Sequence, residues 1–139
     1  MNDIEIAKEH LDKRNLSVVV VKGGQVIFKS SEKGIKPIYK LSLERSMDLK
    51  GSSLADRVIG RGAAMMCKYL GVKEVYGLLM SETAVEVLNK AGIEFSYGEI
   101  CPFIKNRDNT GLCPIEKISL DTDDVSVLLD RIGKFLSLK

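Results

Sequence analysis

The sequence predicts an α/β domain built on one mixed sheet, and three features of the chain carry that expectation. Residues 17–30, SVVVVKGGQVIFKS, are two β-rich runs around a Gly-Gly turn, which is the signature of a hairpin. KEVYGLLM, SETAVEVLNKAG and IEFSYGEI read as strand, helix and strand, a succession that calls for a parallel pair joined by a crossover helix. Apolar residues recur at helical spacing at both ends, as Ile4, Ala7 and Leu11 and along DTDDVSVLLDRIGKFLSLK. With 139 residues the chain has the length of one domain, so a single domain over 1–139 is expected, with roughly two thirds of its unfolded surface buried.

Taken in order, the first segment predicts a helix of about three turns that ends near Arg14 and Asn15, with His10 half exposed on it. The hairpin follows. Residues 31–50, with Gly34, Pro37 and the mixed stretch PIYKLSLE, predict an irregular connection with room for a short helical turn. From Ser52 or Ser53 to Tyr69, the positions Ala55, Ile59, Gly62, Ala63, Met66 and Leu70 fall on one face and Arg57, Arg61 and Lys68 fall opposite. That pattern predicts an amphipathic second helix closed by Gly71. Ser81 is placed to cap the third helix and Gly92 to stop it. EKISL reads as a fifth short strand, and a terminal helix follows with aspartates in its first turn and lysines near its end.

Composition narrows the function classes. A net charge of +2 with interspersed signs, no Trp and no Arg-aromatic interleaving gives no support for a nucleic-acid partner. The longest apolar run, Leu16 to Val21 broken by Ser17, is far short of the ~20 residues that span a bilayer. The N-terminus lacks the basic and apolar regions of a leader, so a cytoplasmic protein without a membrane partner is expected. Three cysteines without tight spacing argue against a disulfide framework, and a single histidine excludes a histidine-rich metal centre. No cofactor is implied.

The order of elements resembles the cytidine-deaminase-like fold over most of the chain. More closely, KGGQVIFKSSEKGIKP, DLKGSSLADRVIGRGAA, KEVYGLLMSETAVEVL, FSYGEI and NRDNTGLCPIEK resemble the DUF1893 family, a domain of unknown function. The resemblance implies a three-layer α/β domain and brings no established reaction with it. Deaminase chemistry would need a His or Cys ligand and a proton-carrying Glu at the start of the second helix, and Pro-Cys-x-x-Cys at the start of the third. The corresponding stretches, taken as Gly51 to Asp56 and Met80 to Val85, hold neither His nor Cys, so zinc-dependent deamination is not expected.

Ligands of open α/β sheets sit beyond the carboxyl ends of parallel strands. That rule puts a pocket near Ser81 and Tyr97 to Glu99, beneath the loop from Cys101 to Glu116. Two helix starts, at Ser52 to Leu54 and at Ser81 to Thr83, would then offer free N–H groups to an anion, with Lys50 adding charge. Asp56 reads either as the acid of a capping box with Ser53 or as a general base. Cys67 reads as a small core residue. In NRDNTGLCPIEK, the residues Asn106, Arg107, Asp108 and Asn109 read as turn formers, or as a set in which Arg107 holds an anion while Asn106 and Asp108 read a base or sugar edge. Cys113 precedes Pro114 and suits a helix N-cap with Glu116 as its capping acid; its thiol is the candidate nucleophile.

Three functions stay open on these residues. One is a binding protein for a nucleotide, nucleobase or other anionic metabolite. The second is a zinc-independent enzyme using Cys113 as nucleophile or Asp56 as base. The third is a thiol switch between Cys101 and Cys113, which bracket the loop. The second strand's bare edge makes a homodimer an expected remedy.

Overall fold

A computed structural model of the protein describes residues 1–44 and 47–137. Arg45 and Ser46 of the predicted connection, and Leu138 and Lys139 at the end of the predicted terminal helix, lie outside the described residues. The hairpin seeds the sheet. Strand β1 (Val18–Lys22) and strand β2 (Gln25–Ser30) pair antiparallel around Gly23 and Gly24, whose φ angles of 59° and 79° suit glycine. The N–H groups of both glycines donate to the carboxylate of Asp3, at 3.1 and 2.9 Å, which ties the turn to helix α1 (Asp3–Lys13).

Four valines fill β1, and strand alternation sends them to opposite faces. Val19 and Val21 pack with Ala7, Leu11 and Ala55 beneath α1, whereas Val18 and Val20 join the main core. That core is closed by helices α2 (Lys36–Glu44), α3 (Arg61–Leu70), α4 (Glu82–Ala91) and α6 (Val125–Ser137), through Ile38, Met66, Leu88, Leu128 and Ile132. The result is three layers: α1, the sheet, and the remaining helices. Strand order is β2-β1-β3-β4-β5, where β3 is Ser53–Ile59, β4 is Glu74–Ser81 and β5 is Glu94–Cys101. β1 runs antiparallel to β3, and β3, β4 and β5 are mutually parallel. The predicted mixed sheet with a leading hairpin and a parallel strand-helix-strand unit is therefore present. Among the described residues no helix is long and apolar enough to cross a membrane.

Three elements differ from the sequence reading. The stretch predicted as one helix from Ser52 or Ser53 to Tyr69 is strand β3 followed by helix α3, with Gly60 between them as N-cap in extended backbone. The run of apolar positions four apart spans both elements, so its period belongs to neither. Ser53 and Asp56 consequently form no capping box: Asp56 accepts from the Val58 N–H at 3.1 Å within the strand. The connection after the hairpin contains a nine-residue helix, α2, in which Pro37 occupies the first turn, where its missing N–H costs nothing. EKISL is not a strand. Glu116 to Ser119 belong to helix α5 (Pro114–Ser119), opened by Pro114 with Cys113 as N-cap and ended by Leu120, the alternative that Pro114 itself suggested.

Arg57 ties the layers together. Its guanidinium donates to the carbonyl oxygens of Leu11 and Leu16, at 2.9 and 2.6 Å, and so satisfies acceptors at and beyond the end of α1. His10, on the same helix, has Nδ1 3.0 Å from the Ile6 carbonyl oxygen.

Candidate functional site

Because β3, β4 and β5 are parallel, their last residues, Ile59, Ser81 and Cys101, stand at one edge, and helices α3 and α4 begin there. The two helix starts are solved differently. Ser81 caps α4 with its own hydroxyl, which accepts the Ala84 N–H at 3.1 Å. Gly60 has no side chain to cap α3, and the missing acceptor comes from another helix. Glu116 of α5, 2% exposed, accepts the Arg61 N–H on Oε1 at 2.9 Å.

The same oxygen accepts the Thr83 hydroxyl at 2.9 Å, and Oε2 accepts the Ile104 N–H at 2.5 Å. Since the Thr83 proton is committed to Glu116, the hydroxyl of Ser81, 2.8 Å away, is the donor to Thr83. One buried carboxylate thus joins α3, α4 and the loop after β5. Gly60 makes room for this arrangement, because a Cβ there would lie 3.1 Å from Ile104 Cγ1 and 3.5 Å from both Glu116 oxygens.

The loop itself is a small closed structure. Lys105 and Leu112 form a bridge, the Cys113 N–H donates to the Ile104 carbonyl at 2.9 Å, and the Asn106 N–H donates to that of Gly111 at 2.9 Å. Asn106 Oδ1 accepts the N–H of Thr110 at 3.0 Å, and Asp108 Oδ1 accepts the Thr110 hydroxyl at 2.7 Å. These bonds with Thr110 hold the Asp108 carboxyl below its usual range. Asn109 occupies the left-handed region at φ 58°. The turn reading of Asn106 and Asp108 is therefore visible in their bonds, while Arg107 is exposed.

Cys101 is half buried and donates weakly to the Met80 carbonyl, with sulfur 3.7 Å away. Burial raises its thiol pKa, and the carboxylates of Glu116 and Glu82 raise it further, so at neutral pH the group is a thiol. Cys113 is half buried at the N-cap of α5 without a side-chain cap bond. All three cysteines are free. Cys67 is fully buried in α3, its thiol pushed up by burial and by the Asp56 carboxylate.

Of the residues expected at the site, the structure brings Ser81 and Glu116 together and places Cys113 and the 106–108 turn on the loop beside them. Glu116 was expected to serve the helix that begins at Cys113, but it caps α3 instead. Lys50, Ser52 and Ser53 are elsewhere. Ser53 pairs with Glu74 at the amino end of β3, six residues and about 20 Å along the strand from Ile59. The anion cradle expected from a helix start at Ser52 therefore does not form. The hydroxyls of Ser52 and Ser53 are buried without a hydrogen-bond partner.

Asp56 lies inside β3, three residues before its end, opposite Gly77 of β4. Burial raises its carboxyl pKa to about 7, against lowering contributions from the N–H groups of Val58 and Arg57. Among the described residues no hydrogen bond joins it to Cys113 or to the loop.

Sequence reasoning missed Arg61, Ile104 and the hydroxyl of Thr83, a residue it had placed at the edge only as a helix-start N–H donor. The signal for Arg61 was present: Gly60-Arg61-Gly62-Ala63 follows a β-branched run and suits a tight strand-to-helix turn. The Arg61 guanidinium donates to the carbonyls of Ser119 and Thr122 and pairs with Asp123 at 2.6 Å.

The two helix starts, Gly60 to Ala63 and Ser81 to Ala84, contain neither His nor Cys, and the groups facing Glu116 are N–H and O–H donors. Such a donor set does not fit a zinc ion. Among the described residues no three His, Cys, Asp or Glu gather into a metal-binding group.

The chain matches the family described as a domain of unknown function, DUF1893, over residues 6–136. It is similar to the crystal structure of a DUF1893 family protein from Thermotoga maritima, with 29% identity, a TM-score of 0.86, and coverage of 96% of this chain and 90% of that one. Weaker likenesses are to a diaminohydroxyphosphoribosylaminopyrimidine deaminase/5-amino-6-(5-phosphoribosylamino)uracil reductase from Thermotoga maritima and to dCMP deaminase from the cyanophage S-TIM5. The first has 20% identity, a TM-score of 0.48 and coverage of 69% and 34%. The second has 20% identity, a TM-score of 0.46 and coverage of 71% and 94%. No curated protein matches the sequence.

Proposed function

The chain belongs to the DUF1893 family, and we propose that it is a small-molecule-binding protein whose ligand sits over the carboxyl edge of β3, β4 and β5, against Glu116. The observation that carries this reading is the convergence of two helix starts and one loop on a single buried carboxylate. Open α/β sheets bind ligands at this edge, and a site held by three elements is rigid enough to select one ligand.

The electrostatics refine the ligand class. Glu82, Glu99 and Glu116 all act on the Cys101 thiol, with Lys105 as the opposing charge, so carboxylates, two exposed and one buried, border this edge. The backbone donors that an anion would use are already taken by Glu116 and Ser81. A nucleobase or nucleotide entering with its amino and ring N–H groups fits that field, and Lys105 and Arg107 on the loop would meet a phosphate if one is present. Asn106 and Asp108 then act by shaping the loop that carries Arg107.

A catalytic role draws less support, since Asp56 and Cys113 sit on separate elements with no bond between them. The test is a thermal-shift screen of cytidine, adenosine, their monophosphates and inorganic phosphate. A nucleoside or nucleotide at a hundred times its Kd should stabilise the protein by about 2.7 kcal/mol, while phosphate alone has little effect. Stabilisation by phosphate alone, or by none of these, would sink the reading.

A further inference from the structure

We propose that Phe103 is the platform on which the base of the ligand stacks, so that the carboxyl edge selects a flat aromatic face as well as hydrogen-bonding groups. The inference rests on the reading of that edge as a nucleobase or nucleotide site, and it names the residue that selects such a ligand by its ring.

Phe103 stands apart from the core. Phe28 and Phe95 pack against the main cluster of buried residues, whereas Phe103 belongs to neither cluster and is 41% exposed. Its place is the carboxyl edge itself, since Cys101, two residues earlier, ends β5 opposite Ser81 of β4. Ile104, the next residue, donates its N–H to Glu116 Oε2, so covalent geometry keeps the Phe103 Cα within about 5 Å of that oxygen.

The backbone on both sides of the ring is fastened. Before it, Cys101 is paired in the sheet and Pro102 locks its own φ at about −65°. After it, Ile104 is buried, its N–H is held by Glu116, and its carbonyl accepts the Cys113 N–H at 2.9 Å. An exposed ring is thus presented from a fixed backbone. A ligand that covers the ring gains apolar contact without first ordering a loop, which is the advantage of a preorganised site.

Phenylalanine has no polar handle, so it separates ligands by shape and not by charge. A nucleobase stacks on an aromatic side chain whatever its hydrogen-bonding edge, while ribose and phosphate have no π-face to offer. Stacking leaves the amino and ring N–H groups of the base in its own plane, free for the carboxylates that border the edge. The two kinds of contact therefore add without competing.

The chain has no tryptophan, so Phe103→Trp installs a single indole reporter at the edge. Adenosine, cytidine and ribose 5-phosphate are titrated into the full wild-type chain and into Phe103→Trp, Phe103→Ala and Phe103→Leu. Tyr69→Trp, in the last turn of α3 and so away from the edge, is the control. A nucleoside that stabilises the wild-type chain should quench Phe103→Trp saturably and leave Tyr69→Trp unquenched, and ribose 5-phosphate should quench neither. The same nucleoside should bind Phe103→Ala and Phe103→Leu roughly 5- to 150-fold more weakly. The fluorescence readout stands even if the alanine variant fails to fold. A nucleoside that binds the wild-type chain but leaves Phe103→Trp unquenched, quenches both tryptophans alike, or binds Phe103→Ala and Phe103→Leu with unchanged Kd would overturn the platform and leave the reading of the edge standing. Failure of both nucleosides to bind the wild-type chain would overturn the two together.

Discussion

Asp56→Asn should stabilise the protein at alkaline pH and flatten its stability profile. The Asp56 carboxyl is buried in β3, and burial raises its pKa from the ordinary 3.8 to about 7. Between those values the folded chain holds a proton that the unfolded chain has released, so stability falls as pH rises. The contribution is complete below about pH 3.8 and lost above about pH 7. At about 1.4 kcal/mol for each pH unit of that window, the loss reaches about 4 kcal/mol. Asparagine resembles the protonated form in charge and keeps an acceptor for the Val58 N–H. For a chain of this size 4 kcal/mol corresponds to a Tm gain of roughly 10–15 °C. Urea unfolding of both proteins at pH 5, 6, 7 and 8 measures the difference directly. The variant's advantage should grow from pH 5 to pH 7 and level off by pH 8; a difference that stays constant from pH 5 to pH 7 would refute the reasoning.

Glu116→Ala removes the acceptor for Arg61 N–H, Thr83 O–H and Ile104 N–H together. A loss of about 3–5 kcal/mol is expected in denaturant unfolding, with faster amide exchange at Arg61 and Ile104. Glu116→Gln should keep part of this, losing about 1–3 kcal/mol because its amide nitrogen faces the Ile104 N–H. Arg57→Ala leaves the Leu11 and Leu16 carbonyls without their guanidinium donor and should cost about 2–3 kcal/mol, with exchange accelerated at the end of α1.

How far the sequence foretold this arrangement depends on whether a pattern stayed inside one element. The hairpin was legible because Gly23-Gly24 separates two β-rich runs, and α4 because Ser81 and Gly92 mark both of its ends. β3 was hidden: apolar spacing of four crosses from strand to helix at Gly60 and mimics a single amphipathic helix. That one misreading moved Lys50, Ser52 and Ser53 from the amino end of a strand to the carboxyl edge of the sheet. α2 was obscured by Pro37, which sits in the one turn of a helix that tolerates it. Glu116 was visible as a capping acid from its spacing to Cys113. The helix it actually caps is 55 residues away in sequence, a relation that only the parallel sheet creates.

The most direct measurement of the central claim is a two-dimensional amide spectrum recorded during titration with whichever nucleoside or nucleotide stabilises the chain. If the ligand seat is the carboxyl edge, the first and largest shifts will fall on Arg61, Thr83, Ala84 and Ile104, with smaller ones along 105–112, and Glu116→Gln will weaken binding. Shifts concentrated instead in the groove lined by Tyr39, Leu43, Leu129 and Lys134 between α2 and α6, with binding unaffected by Glu116→Gln, would contradict it.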